Sequence, residues 1–176
     1  MQVAQVGPGA QADAGADGGA LPGRGGVAAD ALDGGTGTDT ADYSASALAV
    51  IVSLDSGTGS AGDANGDTLV NIENLVGSAF ADTLTGDAAL NVLTGGAGND
   101  VLYGEDDNDT ILGGADDDYI DGGIDDDSLD GGQGDDTILG GQGNDTIRGA
   151  QGHDEIDGGD GDDSILAGNG NDDVKG

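Results

Sequence analysis

Hydrophobic residues recur along the second half of the chain at a fixed spacing of nine. Between Gly77 and Lys175 the sequence divides into eleven consecutive nonapeptides without insertion or deletion. A short period with one apolar residue per copy predicts a repeat architecture, in which each unit buries its apolar side by stacking on its neighbours. The aliphatic residue always stands at position 8: Leu84, Leu93, Leu102, Ile111, Ile120, Leu129, Ile138, Ile147, Ile156, Ile165 and Val174.

Glycine and acidic residues hold the same phase. Position 1 is Gly in every copy except one, where Ala167 replaces it. Glycine allows positive φ at sharp corners, so positions 1–6 predict a turn. The clearest copies are GGAGNDVLY from Gly95, GGQGDDTIL from Gly131, GGQGNDTIR from Gly140 and GGDGDDSIL from Gly158. Position 6 is Asp82, Asn91, Asp100, Asp109, Asp118, Asp127, Asp136, Asp145, Asp154, Asp163 and Asp172.

Positions 7–9 predict a three-residue strand. Side chains alternate between the two faces of a strand, so position 8 points inward and positions 7 and 9 point outward. A turn plus so short a strand makes half a coil, and two repeats complete one. We therefore predict an all-β fold, a right-handed parallel β-roll (β-solenoid) of nine-residue half-coils. Its two inward columns are Leu84, Leu102, Ile120, Ile138, Ile156, Val174 and Leu93, Ile111, Leu129, Ile147, Ile165.

The chain before Gly77 is less regular. Two early copies, GGVAADALD and GGTGTDTAD, occupy residues 25–42, and residues 43–76 are out of phase with the main array. The apolar runs Leu48–Leu54 and Thr68–Val76 predict a two-strand insertion, or a starting cap over the open end of the roll. Residues 1–24 are rich in Ala, Gly and Asp without a pattern, which predicts flexibility. The predicted units are therefore 1–24, 25–76 and 77–176.

The charge of the chain restricts its partners. There are 36 acidic residues against 3 basic ones, for a formal net charge of -33. Binding nucleic acid requires clustered Lys and Arg, so this class of partner is excluded. There is no cysteine for a disulfide or a thiolate site, and no stretch approaches the ~18 apolar residues of a membrane span. The N-terminus lacks the basic and apolar regions of a Sec-type signal peptide.

Stacking makes a cation necessary. Acidic residues eighteen apart would lie one strand spacing, about 4.8 Å, above one another. Two carboxylates at that distance repel by roughly 1 kcal/mol in water and about 3–4 kcal/mol at an effective dielectric constant of 20. A hard dication between successive turns reverses the sign of this term. Calcium accepts 6–8 oxygen ligands in flexible geometry, whereas magnesium demands a tight octahedron. We therefore predict several Ca²⁺ ions between the stacked turns, bound in the same event as folding.

The recurring GGxGxD turn followed by x-aliphatic-x resembles the RTX (repeats-in-toxin), or hemolysin-type, calcium-binding nonapeptide repeat. The segment YSAS…NIENLVGSAFADTLTG is also similar to members of this family. The resemblance implies a bacterial, secreted protein that is exported without a cleaved N-terminal signal and folds in calcium outside the cell. It further implies calcium ligation by the position-6 carboxylates and by turn carbonyls. On this chain these ligands are Asp82, Asp100, Asp109, Asp118, Asp127, Asp136, Asp145, Asp154, Asp163, Asp172, Asp39 and the turns at Gly34, Gly95, Gly131, Gly140 and Gly158.

Several positions depart from the family pattern. Asn91 replaces an acid, which puts the site shared with Asp109 in doubt, and Phe80 occupies a glycine position. Asp107, Asp116 and Asp125 replace the second-half glycine of three consecutive turns. Asp visits left-handed backbone conformations more readily than most residues, so we expect these turns to form with extra repulsion. The chain stops one residue into a twelfth repeat, which predicts a fragment whose open C-terminal edge can pair with another chain.

No enzyme activity is expected, because no nucleophile–base pair is evident. His153 stands at a variable turn position and is interpreted as a solvated loop residue. The GTGSAG run at 57–62 matches a dinucleotide motif without the helix that must follow it, and 63–67 imitates an EF-hand start without its Gly and Glu. Two alternatives remain open: a non-catalytic fragment of an RTX enzyme or toxin, and an extracellular adhesive surface, which would require flat ranks of outward Thr.

Overall fold

The computed structural model describes residues 11–13, 20–22 and 29–176. Within these ranges the regular secondary structure is β-strand, apart from one 3-10 turn at Gly62–Ala64. The strands are β1 (Gln11–Asp13), β2 (Ala20–Pro22), β3 (Ala31–Asp33), β4 (Thr40–Asp42), β5 (Ile51–Ser53), β6 (Thr58–Ser60), β7 (Thr68–Val70), β8 (Asn74–Val76), β9 (Thr83–Thr85), β10 (Val92–Ala97), β11 (Val101–Glu105), β12 (Thr110–Ala115), β13 (Tyr119–Ile124), β14 (Ser128–Gln133), β15 (Thr137–Gln142), β16 (Thr146–Gln151), β17 (Glu155–Asp160), β18 (Ser164–Asn169) and β19 (Asp173–Lys175).

Successive strands of the array alternate between two sheets, as expected for a parallel β-solenoid. Sheet A runs in the order β1-β3-β7-β6-β5-β9-β11-β13-β15-β17-β19. Sheet B runs in the order β18-β16-β14-β12-β10-β8-β4-β2. Among the described strands, every pairing is parallel except those of β6 with β5 and with β7, which are antiparallel. Because each strand pairs with the strand two places away, eighteen residues complete one coil.

The two predicted columns of aliphatic residues form the core. In sheet A, Leu84 pairs with Leu102, and the column continues in register to Val174. In sheet B, Leu93 begins the second column, which ends at Ile165. The side chains from Leu84 to Ile156 are at most 2% exposed, whereas Val174 at the last coil is 45% exposed. Each coil therefore depends on the next to cover its single inward aliphatic pair.

The strands are longer than the sequence indicated. We predicted three residues per strand, at positions 7–9, but most strands from β10 onward span six residues and continue through positions 1–3 of the next repeat. Thr110–Ala115 pairs with Ser128–Gln133 along this whole length, including Gly114 with Gly132. The prediction was wrong because a glycine with positive φ bends a strand without ending its ladder. The true turn is confined to positions 4–6.

The three aspartates at position 4 adopt left-handed backbone conformations, as expected. Asp107, Asp116 and Asp125 have φ of 73°, 77° and 79°, where glycine stands in the regular copies. A Cβ in this region clashes with the backbone and costs roughly 1–2 kcal/mol per residue. Each of these turns therefore stores strain that a glycine would relieve.

Replacing Asp125 with glycine should stabilise the calcium-loaded fold by about 1 kcal/mol, because the left-handed strain and one exposed charge are both removed. Asp106→Gly is the matched control, since Asp106 is also an exposed turn acid but has no positive φ. That change should be neutral or destabilising. Urea unfolding of both variants in excess calcium measures the difference. Equal stabilisation by the two variants would assign the gain to charge and contradict the strain argument.

The out-of-phase segment contains four strands, β5 to β8, whereas we predicted two. The run Thr68–Val76 divides into β7 and β8 because Asn71 has a φ of 53°, which turns the chain from sheet A to sheet B. The Leu48–Leu54 run contains only β5, and β6 returns antiparallel to it. The segment lies between the early and main repeats rather than over the end of the roll.

The predicted flexible segment falls largely outside the described residues. Within residues 1–24 the structure describes two short strands, which pair in parallel with β3 and β4. Among the residues that the structure describes, no helix has the length and apolar character needed to cross a membrane.

Candidate metal centre

The position-6 acids stack into two ladders, one beside each sheet. The ladder beside sheet A consists of Asp82, Asp100, Asp118, Asp136, Asp154 and Asp172. The ladder beside sheet B begins with an amide and consists of Asn91, Asp109, Asp127, Asp145 and Asp163. Those from Asp82 to Asp154 are at most 3% exposed. Asp163 and Asp172 are half-buried in the last coils. The carboxylates are therefore inside the roll, although their residues border the turns.

One oxygen of each acid is used to hold the coils together. The backbone N–H of Asp100 donates to Oδ1 of Asp118 over 2.8 Å, and the N–H of Asp118 donates to Oδ1 of Asp136 over 2.9 Å. The same bond joins position 6 of each coil to position 6 of the next coil in both ladders. This bond fixes the carboxylate orientation and leaves the second oxygen to point elsewhere.

The second oxygen has no protein partner along most of the array. Among the described residues, Oδ2 is buried without a hydrogen bond in Asp100, Asp109, Asp118, Asp127, Asp136, Asp145 and Asp154. A buried carboxylate oxygen without a donor or counter-ion costs several kcal/mol. Seven such atoms in fixed register indicate a ligand that the polypeptide itself does not supply.

Each unpartnered Oδ2 lies beside the position-1 glycine of its own repeat. We call the space over the Cα of that glycine, bordered by this Oδ2, the cradle. A Cβ on Gly113 would collide with Oδ2 of Asp118 and would lie 2.6 Å from the carbonyl oxygen of Gly131 in the next coil. The same two kinds of oxygen converge on Gly95, Gly104, Gly122, Gly140 and Gly149. Gly131 shows the carboxylate of Asp136 at the same place. In these repeats a side chain at position 1 would fill this space, and glycine keeps it open.

The carboxylates in the cradles have raised pKa values. Burial, and to a lesser degree the neighbouring acids of the ladder, raise the pKa of Asp100, Asp109, Asp118 and Asp127 to about 7 and that of Asp136 to about 6. The hydrogen bond from the preceding coil acts in the opposite direction but is the weaker effect. The raised pKa values show that the polypeptide stabilises the ionised carboxylates poorly, which is an environment suited to a cation.

The donor set fits a hard cation. Each cradle combines a carboxylate oxygen with main-chain carbonyl oxygen from the next coil. Within the described ranges, no three His, Cys, Asp or Glu side chains converge as a metal cluster. A site of this kind must complete its coordination with backbone and water oxygens, which suits Ca²⁺ and disfavours zinc or copper.

The nonapeptide repeat identifies the protein family to which the chain belongs. The sequence pattern of the RTX calcium-binding nonapeptide repeat matches the chain in four copies, over residues 71–102, 88–120, 103–138 and 139–174. The chain belongs to this RTX family. Together these matches cover more than half of the sequence, and calcium binding is the property that the family description states. A comparison with curated proteins gave no match.

One predicted RTX site residue, Asp82, differs in its donors, although an added Cβ on Gly77 would meet its Oδ2 and the carbonyl oxygen of Gly95 at 2.5 Å each. Asp82 accepts at Oδ1 from the N–H of Val50 (2.7 Å) and the hydroxyl of Ser78 (2.8 Å), and at Oδ2 from the N–H of Ser78. Asp39 lies in the early repeats, where its N–H donates to Oε2 of Glu73 over 2.8 Å. At Gly34 an added Cβ would meet the carbonyl oxygen of Asn71 and the Cβ and Cγ of Asp39.

Two ladder members were missed from the sequence. Asp67 Oδ1 accepts from the N–H of Asp30 over 2.8 Å, and Glu73 takes the equivalent place beside sheet B. The signal for Asp67 was the degenerate nonapeptide Gly62–Val70 (GDANGDTLV), in which Asp67 holds position 6 and Leu69 position 8. This nonapeptide is out of phase with the main array, so the nine-residue spacing from Gly77 does not include it.

His153 belongs to a second, exposed ladder formed by position-5 side chains. Its N–H donates to Oδ1 of Asp135 over 2.7 Å, and its Nδ1 accepts from the N–H of Asn171 over 2.8 Å. Asn or Asp fills this role in neighbouring repeats. The imidazole therefore acts as a hydrogen-bonding substitute for a carboxylate at the surface of the turns.

Proposed function

We propose that this chain is a calcium-binding RTX module whose β-roll folds around its ions, and that it has no catalytic activity of its own. The observation that carries the proposal is the set of seven buried Oδ2 atoms without a hydrogen bond. An ion between coils would bind the Oδ2 of position 6 and the position-1 carbonyl of the following coil, and would supply the positive charge that the ladders need.

Coupling of binding to folding follows from the same geometry. The two oxygens of a cradle come from repeats eighteen residues apart, as in Asp118 and Gly131, so they meet only when the coils are stacked. A ligand that binds only the folded chain stabilises it by mass action. Without the ion, the stacked carboxylates repel one another and the small core must resist that repulsion alone.

We further propose that the module folds outside the cell. The family resemblance supports a secreted, bacterial origin, and millimolar calcium is the condition under which weak oxygen sites of extracellular modules are filled. Outward positions 7 and 9 mix Thr, Val, Tyr, Asp, Glu, Ser, Leu, Arg and Lys, which favours neither a flat adhesive face nor a substrate cleft.

Calcium titration of an EDTA-stripped sample, followed by far-UV circular dichroism, tests the proposal. We expect a cooperative rise of β signal in calcium and no comparable rise in magnesium at the same concentration, because magnesium gives up its waters reluctantly. A chain that stays unfolded at millimolar calcium would overturn the proposed function. A full β signal in EDTA at pH 7.5 would refute the coupling.

The variant Asp118→Asn localises the effect to the cradles. Losing one charged ligand in the middle of the array should raise the calcium midpoint roughly tenfold. Asp117→Asn is the control with the same charge change, because Asp117 lies exposed in the turn and accepts a surface hydrogen bond from the N–H of Asp135. Equal midpoints for the two variants would show that net charge, and not the buried oxygen, governs binding.

A further inference from the structure

The first two in-phase repeats close their own cradles with protein donors. In the repeat at Gly77, the carboxylate of Asp82 receives the backbone N–H and hydroxyl of Ser78 together with the N–H of Val50. In the repeat at Gly86, Oδ1 of Asn91 receives the N–H of Asp87 over 2.7 Å, and its Nδ2 donates to the carbonyl of Glu73 over 2.8 Å. Both cradles are thus satisfied without an ion.

The backbone conformation at position 2 differs between the first two repeats and the later ones. From Gly95 onward, position 2 has positive φ, as in Gly96 (120°), Gly114 (123°) and even Glu105 (85°). Ser78 and Asp87 hold position 2 in the first two repeats, and neither has positive φ. Their N–H groups turn inward and donate to the position-6 oxygen. In the later repeats the left-handed backbone goes with an unpartnered Oδ2 and with a strand that continues past position 1.

In the out-of-phase segment, a phenol partners the position-6 carboxylate. The hydroxyl of Tyr43 donates to Oδ2 of Asp67 over 3.1 Å, while Oδ1 of Asp67 keeps the usual ladder bond from the N–H of Asp30. Tyr43 is fully buried and Asp67 is 1% exposed. A side-chain hydroxyl therefore partners the carboxylate oxygen that has no hydrogen bond in Asp100.

The number of acidic residues and the number of buried apolar side chains also change between residues 43–93 and residues 95–176. Residues 43–93 contain six acidic residues in 51 positions, whereas residues 95–176 contain twenty-four in 82. The first stretch supplies ten buried apolar side chains and the second supplies eight. The earlier coils thus have more core to stabilise them and fewer charges to oppose folding.

We propose that Tyr43–Leu93 is a metal-independent base, on which the calcium-dependent coils from Gly95 onward are built. Asp82 and Asn91 are hydrogen-bonding members of this base and take no calcium. Tyr43, Ser78 and Asp87 donate hydrogen bonds to the position-6 side chains of this base, and in later coils calcium takes the place of these donors. This inference rests on the proposed function, in which the coils after Gly95 need calcium to fold. It adds that the earlier coils fold without calcium.

Amide hydrogen exchange on the full chain, read by mass spectrometry of peptides, tests the base directly. In EDTA at pH 7.5 we expect peptides from 43–93 to remain protected and peptides from 95–174 to exchange freely. Calcium should protect the second group and leave the first little changed. If residues 43–93 exchange freely in EDTA and gain protection together with the array, the base does not exist. A failure of the proposed function looks different, because residues 95–174 would then ignore calcium.

Tyr43→Phe tests the donor that replaces the ion. It leaves Oδ2 of Asp67 buried without a partner, so exchange of 43–93 in EDTA should accelerate roughly tenfold or more. Tyr103→Phe is the control, since Tyr103 lies on the outer face beside Tyr119, with ring centroids 5.9 Å apart. An unchanged exchange rate in Tyr43→Phe would contradict the role of the phenol.

Counting bound calcium separates the closed cradles from the open ones. By isothermal titration or metal analysis of the loaded chain, Asp82→Asn should bind as many ions as the parent, whereas Asp118→Asn should lose occupancy or affinity. Loss of an ion in Asp82→Asn with unchanged exchange protection of 43–93 would show that Asp82 is a ligand, and would overturn the assignment of its cradle.

Discussion

Lowering the pH from 7.5 to 5 should fold the calcium-free chain in part, because protons can take the place of the ions in the cradles. The pKa of Asp100, Asp109, Asp118 and Asp127 is raised to about 7 in the folded chain, from an ordinary value near 3.8. The main cause is burial, and the neighbouring carboxylates add to it. Between these two values the folded chain holds more protons than the unfolded chain.

The sign of the effect follows by linkage. Where the folded state binds more protons, the free energy of unfolding falls as pH rises, so the metal-free fold loses stability between about pH 4 and pH 7. At pH 5 most of these carboxyls are neutral and the repulsion along the ladders is relieved. A protonated Oδ2 of Asp118 can also donate to the carbonyl of Gly131, which faces the same cradle.

Calcium binding should respond to pH in the opposite direction. The ion requires ionised carboxylates, so protons compete with it and its apparent affinity falls as pH drops below 7. The calcium midpoint should therefore rise steadily between pH 7.5 and pH 5, while the β signal without calcium grows.

Circular dichroism in EDTA at pH 7.5, 6 and 5 measures the first effect, and calcium titrations at the same pH values measure the second. Light scattering is the necessary control, since the sequence pI is about 4.1 and acidic precipitation must be distinguished from folding. A metal-free chain as unfolded at pH 5 as at pH 7.5, or a calcium midpoint independent of pH, would show that the buried carboxylates do not control the fold.

Gly113→Ala should abolish one cradle by filling it. The backbone of Gly113 does not have positive φ, so alanine meets no conformational penalty there, but its Cβ would collide with Oδ2 of Asp118 and the carbonyl of Gly131. Overpacking of this kind typically costs 1–3 kcal/mol. The lost calcium site adds to that cost, so we expect an array that is interrupted at its centre.

The expected result is a calcium midpoint raised about tenfold or more and a weaker, less cooperative rise of β signal. Gly176→Ala is the matched control, because an added Cβ there meets only the Cδ1 of Ile165 at 3.8 Å. Parent-like calcium binding by Gly113→Ala would mean that the ions lie elsewhere.

The nine-residue phase was enough to predict the repeat architecture and its core. Leu84 and Leu93 begin two columns whose members pair in the predicted register, because a strand alternates its faces and one aliphatic residue per repeat leaves a single inward choice. The same phase predicted stacked acids at position 6, and the structure joins them by N–H to Oδ1 bonds.

The nine-residue spacing could not predict features that depend on the backbone dihedral angles of single residues. The strands reach through Gly114 because a left-handed residue can stay in a ladder, and residue type alone does not show this. The Thr68–Val76 run is interrupted by the left-handed Asn71, so one apolar segment serves both sheets. Asp67 belongs to a ladder although its repeat is out of phase.

The sequence by itself therefore determined that this protein is an acidic β-solenoid. It also determined that the position-6 carboxylates are stacked, an arrangement that predicts calcium binding. Only the tertiary structure decided which carboxylates are left without a donor. Asp82 and Asp118 occupy the same position of the repeat, yet one is closed by Ser78 and Val50 and the other is open. The physical reason is that a donor's direction depends on backbone dihedrals and on segments distant in sequence, whereas the repeat pattern records only residue type.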